Sequence, residues 1–282
     1  MKRPTIAAIM ITLNEAYNMR SCLENLSDFA DEIFVVDSFS ADGTAEIAKK
    51  YGARVVQREF LGFGDQWNFA VSQLPVKSDW TIKVDPDERL TEKLKHAIIA
   101  AIREAEANAL VVTRRLWFMG QPLPVRQKLV RIWRTGYCSF PDVLVNEHPI
   151  VPKPHVEVMG DLEHHDSPNL FHWMEKQNRY TTAEAVSAYE GRSFAVDPSI
   201  VGDRLARRMW LKSIYCYIPG RHIVMFLYCY IWLGTWRAGK IGLIWSRLRV
   251  IVYQMREYKL AEMRLSKPDK RFAGLPNSKN LR

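Results

Sequence analysis

The chain reads as an α/β domain with a mainly parallel sheet, followed by a basic, aromatic-rich helical extension. Three observations predict this. Apolar runs at residues 5–12 and 32–37 enclose a segment in which Met19, Leu23, Leu26 and Phe29 recur at helical spacing, giving the order strand, helix, strand. The same alternation continues to about residue 113. Charge is also unevenly divided: residues 1–200 carry a net −4 and residues 201–282 a net +13. The 282 residues suffice for one enzyme-sized domain plus an appendage. A composition of 48% hydrophobic and 25% charged residues excludes a wholly disordered or fibrous chain.

Each element has its own signal. The runs at 5–12 and 32–37 are nearly continuous, as in strands covered on both faces. A second helix is expected from Gly43 to Tyr51, then strands at Arg54 to Gln57 and Trp80 to Val84. The next helix starts near Thr91, an N-cap candidate, and ends near Ala107, before a strand at Ala109 to Thr113. From Trp117 to Pro168, prolines at 122, 124, 141, 149, 152, 154 and 168 read as loops and short strands that complete a site. The domain is placed at 1–200 and the helical region at 201–282. Cys22, Cys138, Cys216 and Cys229 are scattered with no C-x-x-C pair, so neither a disulfide framework nor a Cys-built zinc site is supported, and a reducing compartment fits. The N-terminus has no secretory signal pattern, so a cytosolic location is expected.

In the tail, Ile223 to Trp236 is 14 residues without a charge, short of the roughly 20 that span a bilayer. From Leu243 to Met263, Ile244, Leu248, Ile251, Met255 and Tyr258 share one side, with Arg247, Arg256 and Lys259 among the polar residues. A basic amphipathic segment rich in Trp and Tyr suits an anionic membrane surface and argues against nucleic acid. The alternative is a helical subdomain packed on the main domain.

The chemistry lies at strand ends, where parallel sheets bind ligands. Thr12-Leu13-Asn14-Glu15, Asp37-Ser38 and Asp85-Pro86-Asp87-Glu88 end three strands. Two carboxylates two residues apart at such an end can hold a hard divalent cation, Mg²⁺ or Mn²⁺, that also binds a diphosphate. A D-x-D alone is more often a turn that caps the next helix. Here the succession TLNE (12–15), VVDSFSADGT (35–44), GDQWN (64–68) and DPDE (85–88) resembles family 2 glycosyltransferases of the GT-A, Rossmann-like fold. The tail, PGRHIVMFLYCYIWLGTWRAGKIGL at 219–243, is similar to the bacterial branch that builds lipopolysaccharide core, the WaaE/KdtX-like glucosyltransferase group. The Asp-Gly pair usual in that group is Ala238-Gly239 here.

The resemblance implies that Thr12, Asn14 and Glu15 line the nucleotide pocket, Asp37 holds the base, and Asp42 and Asn68 approach the donor. It also implies that Asp85 contacts ribose or metal and Asp87 is the principal metal ligand. Glu147, in VNEH, becomes the base that takes the acceptor proton, with His148 as second choice. Arg126 and Arg131, interleaved with Trp133, are candidates for a diphosphate or anionic acceptor. In Glu163-His164-His165-Asp166 adjacent imidazoles diverge, so one of the pair, His165 or His164, is available as a metal or diphosphate contact.

The expected activity is metal-dependent, inverting transfer of a hexose, glucose from UDP-glucose, to a lipid-linked glycan such as lipopolysaccharide core, at the cytoplasmic face of a bacterial inner membrane. Three alternatives stay open. One is a polyprenyl-phosphate acceptor and another a non-catalytic nucleotide-sugar-binding scaffold. The third, a sugar-phosphate nucleotidyltransferase, normally carries a Gly-rich phosphate loop after the first strand, and TLNE is not one.

Overall fold

A computed structural model of the chain describes residues 3–104, 106–141, 148–189, 199–201, 206–207, 210–211, 214–215 and 218–265. They form two compact units, one built on residues 3–122 and 126–168, the other on residues 123–125 and the described residues from 169 onward.

The first unit is an eight-stranded sheet in the order β3-β2-β1-β4-β7-β6-β8-β5. Strands β1 (Ile6–Thr12), β2 (Glu32–Asp37), β3 (Arg54–Gln57) and β4 (Trp80–Lys83) run parallel, with Thr12 beside Asp37 and Asp37 beside Gln57. Helices α1 (Ala16–Leu26), α2 (Thr44–Lys50), α3 (Phe63–Gln73) and α4 (Glu92–Glu104) connect or follow them. Alternate residues of one strand point to opposite faces, so β1 serves two cores. Ile6, Ala8 and Met10 pack with Leu23 and Leu26 of α1 and Ile98 of α4. Ala7 and Ile9 pack with Trp67 and Ala70 of α3. A short strand β5 (Glu88–Leu90) follows β4, and Thr91 caps α4 by accepting the Leu94 N–H at 3.3 Å.

Two expectations are corrected. The sheet is mixed: β7 (Gln121–Arg134) lies antiparallel to β4 and to β6 (Ala109–Phe118), and β8 (His155–His165) lies parallel to β6 and antiparallel to β5. The proline-rich stretch after Trp117 is therefore largely long strand. Phe118 pairs with Gln121 across Met119 and Gly120, whose positive φ values of 50° and 75° make the two-residue hairpin turn that matches strand twist. Pro122 is tolerated near the start of β7, because β4 pairs with that strand only through Ile132 to Arg134. In β8, Gly160 (φ +110°) lets the strand approach α4: a Cβ there would lie 2.6 Å from Leu94 Cα.

The second unit contains α5 (Leu170–Tyr189), α6 (Arg221–Leu227), a π-helical turn (Tyr228–Trp232), a 3₁₀ turn (Thr235–Ala238) and α7 (Gly239–Leu265). This compact unit includes α5, which is fastened to α7: Lys259 Nζ donates to Asn178 Oδ1 at 2.6 Å and Thr182 Oγ1 at 2.7 Å. Among the described residues no helix is long and apolar enough to cross a membrane.

Candidate active site

The parallel register brings the ends of β1, β2 and β4 to one edge. At the β1–β2 rim, Asp37 is fully buried. Its Oδ1 accepts from Thr12 Oγ1 at 2.9 Å and Ser40 Oγ at 2.5 Å, and its Oδ2 accepts from the Ser40 N–H at 2.9 Å and Gln57 Nε2 at 3.3 Å. Asn14, with φ 55°, donates its N–H to Ser40 Oγ and accepts from the Ala41 N–H at 2.9 Å. An asparagine tolerates that left-handed backbone better than most residues. Asp42 accepts the Ala16 N–H at 2.9 Å and the Thr44 N–H at 3.1 Å, while Glu15 donates its own N–H to Thr44 Oγ1 and accepts from Asn18 Nδ2. Burial opposes ionisation of Asp42, but the bonds from Thr44 and Ala16 outweigh it and hold the carboxyl below its ordinary range. The TLNE and SADGT segments thus interlock, each closing the other's loop.

At the β4 end the acidic turn folds back on itself. The Glu88 N–H donates to the Asp85 carbonyl at 2.8 Å, and the Asp85 N–H donates to Glu88 Oε2 at 3.0 Å. Arg131, 5% exposed on β7, donates to Asp85 Oδ2 at 2.8 Å and Glu88 Oε1 at 2.5 Å. Burial works against ionisation of Asp85, yet the Arg131 and Lys83 cations override it and hold its carboxyl down to about 2. Burial pushes Glu88 the other way, upward, against the pull of Arg131. Asp87 turns away from this pair. Its Oδ2 lies 3.2 Å from His164 Nε2, and donor atoms of Asp87, His164 and Asp166 all fall within 4.8 Å of one another.

Several expected residues meet partners within the protein. Arg131 is the buried counter-ion of the acidic turn, and its partner Asp85 stands outside the Asp87, His164 and Asp166 group. His164, not His165, faces Asp87; alternation along β8 sends His165 to the other side, where it stacks on Trp117 at 4.7 Å and meets Glu163 at 3.3 Å. Trp133 is 1% exposed, packed edge-on to Phe140 in the core, and cannot reach an acceptor. Asn68 clamps the Phe140 backbone, donating Nδ2 to its carbonyl at 2.9 Å and accepting its N–H at 2.8 Å. Arg126 pairs with Asp161 at 3.3 Å on the surface. Glu147 lies outside the described residues.

Sequence reasoning missed Lys83, 4% exposed, whose ammonium sits 4.2 Å from the Trp67 ring centroid and 5.5 Å from that of Phe140. A lone cation inside the apolar WTIKV run was the available signal. Asp166 was visible only as part of the EHHD string.

Two carboxylates and one imidazole suit a divalent cation that keeps further positions for phosphate oxygens or water, and the nitrogen donor favours Mn²⁺ over Mg²⁺. The mixed central sheet with its helices, and this acidic strand end that could hold a metal, define a GT-A-like α/β fold. Residues 7–152 match the Glycosyl transferase family 2 profile, more than half of the chain, and the chain belongs to that family: it is a glycosyltransferase. It is 28% identical over 254 residues to the lipopolysaccharide core biosynthesis glycosyltransferase LpsC of Rhizobium meliloti, covering 85% of both chains. An uncharacterized glycosyltransferase of Rickettsia bellii is 40% identical over 93 residues, 33% of this chain and 31% of its own, so the chain spans about a third of that relative. Glucosyl-3-phosphoglycerate synthase of Mycobacterium tuberculosis, solved with Mn²⁺, UDP and glucosyl-3-phosphoglycerate, is 24% identical over 40% of this chain and 44% of its own, with a TM-score of 0.32.

Proposed function

We propose that the chain transfers a hexose, glucose from UDP-glucose, with inversion onto a hydroxyl of a lipid-linked cell-envelope glycan of the lipopolysaccharide-core kind. The observation that carries this is the convergence of Asp87, His164 and Asp166 at the carboxyl ends of the strands, where α/β sheets bind their ligands, in a chain of family 2. The alignment with LpsC, over 85% of both chains, supports the acceptor class. The reaction is placed at the cytoplasmic face of the inner membrane.

In this reading Asp87, His164 and Asp166 hold the cation. When bound, it neutralises charge on the departing diphosphate. Arg131 and Glu88 fix Asp85 at the mouth of the turn, where its ionised carboxylate accepts from a ribose hydroxyl. Asn14, Glu15 and Asp42 shape the nucleotide pocket, and Asp37 and Thr12 hold its floor. The acceptor oxygen attacks the anomeric carbon from the face opposite the diphosphate. That carbon's bond to the diphosphate oxygen breaks, the nucleotide leaves with the electron pair, and Glu147 takes the acceptor proton. An α-linked donor therefore gives a β-linked product.

The test is UDP release and sugar transfer with UDP-glucose, Mn²⁺ and a membrane extract containing the acceptor. Asp87→Ala and Glu147→Gln are each expected to lose activity by orders of magnitude while staying folded. Full turnover in Asp87→Ala would remove the metal assignment. Full turnover in Glu147→Gln would point to an acceptor that needs no base, such as a polyprenyl phosphate.

A further inference from the structure

We propose that the outer face of α6 and the π-helical turn is the surface by which this chain docks on a bilayer containing anionic phospholipid. The surface gives the membrane location proposed above a physical means. Its test needs no nucleotide or sugar, so either reading can fail without the other.

Ile223, Val224, Leu227, Tyr228, Ile231 and Trp232 recur at i, i+1, i+4, i+5, i+8 and i+9, one face of a helix, and all are exposed, Ile223 at 68%, Ile231 at 61% and Trp232 at 81%. Trp236, also exposed, extends the face beyond the turn. The opposite side is tied down. Cys229 is 2% exposed, and Thr235 Oγ1 donates to the Cys229 carbonyl at 3.0 Å and meets Ser246 Oγ of α7 at 2.7 Å. Gly242 of α7 lies so close that a Cβ there would sit 1.7 Å from the Thr235 carbonyl oxygen. Arg221 grips Glu257 with two bonds of 2.8 Å. The exposed stripe is thus presented by a braced helical hairpin, with no frayed end. A shallow apolar groove lined by Ile223, Phe226, Val250 and Ile251 continues it onto α7.

Charge decides the occupant. Residues 223–236 carry no charge, yet residues 218–265 contain eight Lys or Arg against two Glu. Arg237 lies 5.2 Å from the Trp236 ring centroid, with Lys240 soon after it. Apolar side chains with Trp and Tyr beside Arg and Lys match a boundary between acyl chains and anionic headgroups. A second copy of the chain would bring like charge against like. At 1.5 Å per residue, 14 helical residues reach about 21 Å, enough to lie in the interface and too short to cross a core of about 30 Å.

The experiment is sedimentation of the full chain with phosphatidylcholine vesicles containing one quarter phosphatidylglycerol, with quenching of tryptophan fluorescence by brominated lipid. Binding is expected to weaken but persist at about 0.5 M salt, because only its electrostatic part is screened. The double substitution Ile231→Asp, Trp232→Ser should cut vesicle affinity at least about tenfold with an unchanged circular-dichroism melt. Trp232→Phe should lose much of the quenching. A folded double variant that sediments like the parent overturns the proposal. So does a parent chain that brominated lipid fails to quench, or a parent dimer that the double substitution splits.

Discussion

The β1–β2 rim and the β4–β8 rim of one sheet use acidic side chains in opposite ways. At the first, Asp37 has both carboxylate oxygens engaged by four donors from the protein, and Asp42 ties the start of α1 to the start of α2. At the second, Arg131 takes up Asp85 and Glu88, and Asp87 is left facing His164 and Asp166. Which partners surround an acid at a strand end, a guanidinium and hydroxyls or an imidazole and a second carboxylate, decides which chemistry it can offer.

The largest expected effect is at Asp87. Its replacement by Ala should lower kcat by at least about a thousandfold, about 4 kcal/mol in the barrier, with little change in Tm. Asp37→Ala should instead lower Tm, and a stable but inactive Asp37→Ala would break the contrast. Arg131→Met should cost about 3 kcal/mol in chemical denaturation, because it takes the bridging guanidinium from fully buried Glu88 and part-exposed Asp85 and leaves Glu88 only Arg114, at 3.6 Å. His164→Ala should weaken Mn²⁺ binding by about 10- to 100-fold in a calorimetric titration, and His165→Ala by far less; equal losses would return His165 to the site.

Two smaller effects sharpen the comparison. Asp85 has a folded-state value of about 2 against an ordinary 3.8, so its stabilisation of the fold is present above pH 4 and lost as the pH falls through 2. That contribution is about 2 kcal/mol at neutral pH. The gap in Tm between the parent and Asp85→Asn should narrow between pH 4 and 2. Asn68→Ala should cost about 1–2 kcal/mol through the Phe140 backbone groups left unpaired, with the donor KM nearly unchanged once the protein is folded. A large rise in KM would restore Asn68 as a donor contact.

The first four strands and helices α1 and α2 were legible because a strand covered on both faces is a continuous apolar run, and because α1 repeats Met19, Leu23 and Leu26 at helical spacing; α3 was not read from the sequence. The strands β7 and β8 were hidden. Their polar residues point to a half-covered face, and prolines at 122 and 124 imitate a loop. In the tail, apolar spacing suggested α7 as the membrane-facing element. On α7, Ile251 and Tyr258 of that expected face are exposed while Trp245 and Val252 are buried; among the described residues a longer exposed apolar stripe lies on α6 and the π turn.

By itself the sequence determined the acidic strand ends, the family they belong to and the split between an acidic body and a basic tail, because these are properties of residue order and composition. The tertiary structure decided which partners each acid meets. Asp85 and Asp87 are chemically identical and two residues apart, and only the arrival of Arg131 on β7 and His164 on β8 separates a counter-ion's partner from a candidate metal ligand. Those residues lie 46 and 77 positions away from the acids they meet. Local pattern carries no information about such a meeting, which depends on strand pairing across the whole sheet.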